Sequence, residues 1–70
     1  MTAKMKFNTG DKAFVMSNGK LYEGEVMYYD YYGKNFTIRY HIRWVEDGHT
    51  KEDYFLTRQL RKAYYFAIGL

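Results

Sequence analysis

The residues of this chain best suited to chemistry are aromatic and basic rather than nucleophilic. Tyr22 follows the turn-forming pair Asn18-Gly19, and Trp44 precedes the polar run Glu46-Asp47-Gly48-His49. Rings at strand ends, where a small barrel opens, can surround a cation. A quaternary ammonium donates no hydrogen bond, but its diffuse charge is attracted to ring faces. Glu46 and Asp47 would favour such a cation further. Tyr40 fits equally well as a third ring or as a core residue. A second set is basic: Arg39, His41 and Arg43 alternate along one strand face, and Arg58, Arg61 and Lys62 cluster near the C-terminus. Cations beside exposed aromatics can follow a nucleic-acid backbone. The same charges also suit a solvated sheet face that resists edge pairing.

Other chemistries find little here. The chain has no Cys, so disulfides and thiolate metal sites are excluded. His41 and His49 match no zinc spacing and read as solvated histidines on a strand and a turn. The one serine falls in an expected turn, without a base and orienter beside it. No Gly-rich phosphate loop occurs. We therefore expect no enzyme, no metal and no cofactor.

Seventy residues with 21% aromatic content make one domain whose rings replace a longer core. The net charge of +3 mildly favours an acidic partner. No apolar run is long enough to span a bilayer, and MTAKMKFNTGDK lacks a signal-peptide core. The expectation is a soluble, intracellular protein with no membrane partner, either complete or cut from a longer chain.

The elements that must position these residues can be read from turns and alternation. Residues 1–6 form an expected flexible N-terminus, and 7–70 the single domain. Asn8-Thr9-Gly10-Asp11 is a turn. Lys12 to Ser17 reads as a first strand, and Asn18-Gly19 suits a type I′ hairpin. Leu21 to Asp30 reads as a second strand, with Tyr22, Gly24, Val26 and Tyr28 on one face. Tyr31 to Asn35 reads as a turn with exposed tyrosines and Gly33 at positive φ. Phe36 to Val45 alternates best, with Phe36, Ile38, Tyr40, Ile42 and Trp44 on one face. Tyr28 and Phe36 read as core. After the turn at Glu46 to His49, Thr50 to Phe55 returns as a fourth strand. Thr57 reads as the cap of a helix starting near Arg58, with Leu56, Leu60, Ala63, Tyr64 and Ala67 at helical spacing. The sum is a mainly β fold, a small bent barrel or open sheet closed at one end by a C-terminal helix.

The order of residues resembles the chromo barrel (Tudor-knot) domain of MRG- and MSL-type chromatin proteins, within the Royal superfamily. The matching residues are Phe7, Gly10 and Asp11, then Leu21-Tyr22-Glu23-Gly24, then Ile38-Arg39-Tyr40, then Trp44. Lys51-Glu52-Asp53-Tyr54 takes the place of the family's W-D-E-W segment, and Arg58 to Lys62 that of its terminal basic run. The resemblance implies an SH3-like barrel of about five strands with a C-terminal helix. It also implies a nuclear, chromatin-associated module that captures methylated lysine of a histone tail in a cage of Tyr22, Tyr40 and Trp44. Tyr40 to Trp44 is one residue longer than the family's step, so that cage needs a bend or bulge there. The implied partners are a histone tail peptide, DNA or RNA, and other subunits of a chromatin complex. The alternatives are nucleic-acid binding through Arg39, Arg43, Arg58, Arg61 and Lys62 without a cage, or protein docking through the tail from Ala63 to Ile68.

Overall fold

Four antiparallel strands in sequential order, β1 (Lys12–Ser17), β2 (Lys20–Tyr32), β3 (Thr37–Glu46) and β4 (His49–Leu56), form one open sheet. A single helix, α1 (Thr57–Ala67), follows. The computed structural model describes residues 6–69. Most of the expected flexible N-terminus, residues 1–5, lies outside the described residues. The fold is mainly β and in keeping with a small bent barrel, with four strands rather than about five.

Two of the three hairpin turns follow the same local rule. Asn18 and Gly19 have φ of 52° and 77°, and Asp47 and Gly48 have φ of 53° and 77°. Both central residues of a type I′ turn need positive φ, which Asn, Asp and Gly tolerate best. The middle turn breaks the pattern. It runs from Gly33 to Phe36, closed by the Phe36 N–H donating to the Gly33 carbonyl at 3.2 Å, and Phe36 itself takes φ 50°. Phe36 thus belongs to the turn, not to β3, and is 75% exposed rather than core.

The second correction lies in β2, which runs on through Tyr31 and Tyr32. The pairing of β2 with β3 shifts by one residue at Met27: Val26 faces Ile42, but Tyr28 faces His41. A one-residue slip sends every later side chain to the opposite face. Tyr28 therefore leaves the core face and is 42% exposed. Asp30 moves with it, to a position opposite Arg39. The irregularity sits in β2, while β3 alternates unbroken through Tyr40, Ile42 and Trp44. The loop before β1 covers the slip: Gly10 N–H donates to the Val26 carbonyl and Val26 N–H to the Asp11 carbonyl.

The core is Ala13, Val15, Val26, Tyr40, Ile42, Trp44, Leu60 and Ala63, with Phe7, Tyr22, Ile38 and Phe55 packed at its margin. Gly24 allows β2 and β3 to meet closely, since a Cβ there would stand 2.6 Å from Ile42 Cγ2 and 2.9 Å from the Arg43 carbonyl oxygen. Helix α1 packs chiefly on β1 and buries Leu60 and Ala63. Leu56 and Ala67 are half-buried, whereas Tyr64 stays exposed. Thr57 is the first helical residue rather than the cap; at the N-terminus the Leu56 N–H donates to Gln59 Oε1 at 2.7 Å. Gly69 at φ 81° ends the helix, its N–H reaching the Phe66 carbonyl.

Candidate nucleic-acid interface

Three regions hold the residues singled out in the sequence. At the end of the sheet where the two type I′ turns lie, Glu46 is 3% exposed. Its carboxylate accepts from Trp44 Nε1 at 3.0 Å, Ser17 Oγ at 2.7 Å and Asn18 Nδ2 at 2.9 Å. Lys51 Nζ adds a cation at 3.9 Å. Donation from Trp44, Asn18 and Ser17 holds the Glu46 carboxyl at a pKa of about 2. Partial burial, then the charges of Glu46 and Asp47, push the Tyr22 phenol above its ordinary value. This cluster clamps the β1–β2 turn to the β3–β4 turn.

The rings and acids expected as a cage are only partly gathered there. Tyr22 and Trp44 line one open cleft, but Trp44 is 6% exposed and packs edge-on against Phe55. Tyr40 is 1% exposed and packs against Phe7 and Tyr29. Four residues apart on an unbroken strand, Tyr40 and Trp44 stand roughly 13 Å apart. The three rings surround no common space in this structure, and Glu46 already faces its own donors. Asp47 is exposed in the turn.

The outer sheet face carries Arg39, His41 and Arg43, each engaged with neighbours. Arg39 makes a two-pronged pair with Asp30, Nε to Oδ1 at 2.7 Å and a terminal nitrogen to Oδ2 at 3.2 Å. Its guanidinium also lies 4.1 Å from the Tyr54 ring centre and 5.0 Å from that of Tyr32. Arg43 Nε reaches Glu52 Oε2 at 3.0 Å. His41 is no solvated histidine. It lies between Tyr28 and Tyr54, with ring centres at 4.6 and 4.9 Å. Its Nε2 is 2.7 Å from Glu52 Oε1, though off the direction of a well-formed hydrogen bond. The Tyr28 and Tyr54 hydroxyls share a hydrogen bond of 2.9 Å, which raises the Tyr28 pKa. Hydrogen bonding lowers the pKa of Asp30 through Arg39 and that of Glu52 through Arg43. The face is a cross-strand ladder in which Arg39 and Arg43 are paired, while the His41 ring nitrogens are buried without a well-formed hydrogen bond.

The helix side is different. Arg58, Arg61 and Lys62 line an open cleft of about 500 Å³ with Tyr65 and Phe66. Arg61 also lines a second cleft, of about 410 Å³, where Lys6, Tyr31 and Phe36 join it. Neither cleft has a carboxylate in its lining. Among the described residues none of these four cations forms a salt bridge. The sequence separated Arg58, Arg61 and Lys62 as a cluster but missed Lys6, Tyr31 and Phe36 as their neighbours. His49 is exposed in β4, apart from this strip. Among the described residues no group of acidic or histidine side chains is placed to hold a metal, and no helix is long and apolar enough to cross a membrane.

No family model, curated protein or solved structure matches the chain. The likeness to the chromo barrel therefore rests on its short motifs alone.

Proposed function

We propose that this domain binds nucleic acid along the helix side, with Lys6, Arg58, Arg61 and Lys62 contacting phosphates. The observation that carries this reading is the pair of clefts joined at Arg61, lined by cations and rings without a carboxylate. Fold stability gives no reason for the arrangement. A helix N-terminus favours carboxylates, yet the first turn of α1 holds none and the helix places three cations in its first two turns. Exposed rings beside such cations offer stacking surface to bases. In the chromatin setting that the resemblance implies, this is a DNA or RNA contact.

Capture of methylated lysine draws less support. It needs accessible ring faces, and Tyr40 and Trp44 turn theirs to the core. Of the two acids that would favour a cation, Glu46 is held by Trp44, Ser17 and Asn18, while Asp47 stays exposed in the turn.

The test is affinity for an unstructured oligonucleotide measured against salt. Three to four phosphate contacts to a single strand predict a log–log slope of about −2 to −3. A flat response overturns the reading.

A further inference from the structure

We propose that the cleft between the β2–β3 hairpin tip and α1 seats one nucleotide of a single strand, its base on Phe36 and Tyr31 and its phosphate on Arg61 and Lys6. This deepens the nucleic-acid reading and rests on it.

The first observation is Phe36. It is the most exposed of the large apolar side chains among the described residues, and it stands at φ 50°. The left-handed region resists a side chain with a bulky Cβ substituent, so Gly or Asn would serve the turn better. Folding gains nothing by placing a phenyl ring there, in solvent. The ring nevertheless lines the cleft, together with Tyr31 and Ile38 of the sheet and Thr57 and Arg61 of the helix. Two apolar ring faces at one cleft suit a planar, uncharged group, which a base supplies.

The second observation is Arg61. It lines both clefts and forms no salt bridge among the described residues. A guanidinium without a carboxylate partner has an anionic oxygen as its natural complement. Lys6 and the Thr57 hydroxyl line the same cleft and add further donors. A volume of about 410 Å³ lies within the span of roughly 300–1,000 Å³ in which small ligands are held. The hairpin brings the rings Tyr31 and Phe36 and the helix brings Thr57 and Arg61, much as a nucleotide brings a base and a phosphate. A duplex offers its phosphates but keeps its bases stacked inside, so the occupant is a single strand.

The experiment uses the whole chain, isotopically labelled. It is titrated with a 5′-phosphorylated oligothymidine trinucleotide and with an abasic trimer of equal charge. The Arg61 Nε–H and the Phe36 and Tyr31 ring signals are expected to shift and saturate with the first. The abasic trimer should bind about 5- to 100-fold more weakly, the range that stacking of a base accounts for. Phe36→Gly relieves the positive φ, so it should melt no lower than the parent while losing a similar factor in affinity. Equal affinity for both trimers, or an unaffected Phe36→Gly, overturns the nucleotide site. In that event a trimer affinity that still falls in Arg58→Gln/Lys62→Gln leaves the wider nucleic-acid reading standing. Failure of every oligonucleotide to bind removes both. An acidic peptide with a single Phe that outcompetes the trinucleotide assigns the cleft to a protein partner and overturns the proposal.

Discussion

The outer sheet face and the helix side use the same residue types to opposite ends. On the sheet, Arg39 and Arg43 have Asp30 and Glu52, and His41 has two tyrosine rings and Glu52. On the helix side, Arg58, Arg61 and Lys62 share clefts with Tyr65, Phe66, Tyr31 and Phe36, with no acid in the lining. A cation already paired must give up its partner before it can hold a phosphate, which offsets part of the gain. An unpaired cation has only water to lose. Composition alone ranks the two regions equally; pairing decides between them.

The sharpest way to break this comparison is to neutralise the two regions separately. Arg58→Gln, Arg61→Gln and Lys62→Gln together remove three phosphate contacts. Each is expected to weaken oligonucleotide binding about fivefold near 0.1 M salt, or about 100-fold in all. Arg39→Gln with Arg43→Gln should leave affinity within about twofold while lowering the thermal midpoint. Fluorescence anisotropy and thermal melts read the two effects. The reverse pattern moves the interface to the sheet.

A smaller effect separates the aromatics. Tyr54→Ala removes ring contacts to His41, Tyr28 and Arg39. It should cost about 1–2 kcal/mol in denaturant unfolding, with oligonucleotide affinity unchanged. Phe66→Ala should do the opposite. Its ring is exposed, so stability should stay within about 0.5 kcal/mol while binding weakens. If Tyr54→Ala weakened binding while Phe66→Ala did not, the ladder would be the stacking platform.

Much of this division was legible in the sequence, and one step hid the rest. Asn18-Gly19, the alternation from Ile38 to Trp44, and the helical spacing of Leu60 and Ala63 each carry a local signal that tertiary structure leaves intact. The slip at Met27 carries none. In straight register Asp30 would face Ile38 and Tyr28 would face Tyr40; after the slip they face Arg39 and His41. The ion pair, the tyrosine ladder and the exposure of Tyr28 all follow from that one residue. Arg39 therefore read like Arg58, because its partner is set by cross-strand register rather than by neighbours in sequence. Phe36 failed for another reason: its apolar character matched the strand pattern, while a four-residue turn took it out of the strand. The cage residues Tyr40 and Trp44 were sound as a pair on one face, but a domain this small needs both rings for its core.

The last contrast is in pH, and it sets the turn clamp and the sheet face, which carry paired acids, against the helix side. The Glu46 carboxyl titrates at about 2 in the fold, against an ordinary value of 4.5. A depressed folded pKa means that the unfolded chain takes up the proton first. The stabilisation is complete above about pH 4.5 and is lost as pH falls through about 2. Asp30 and Glu52 are lowered too and act in the same direction. Thermal midpoints should therefore decline on acidification below about pH 4.5, and Glu46→Gln should decline less steeply, meeting the parent near pH 2. The contacts proposed for binding include no carboxylate and no imidazole. Oligonucleotide affinity should thus hold between about pH 5 and 8, where the clamp is intact. With a strand that lacks a terminal phosphate, an affinity that fell tenfold across that window would overturn the helix-side reading, whose clefts hold no histidine.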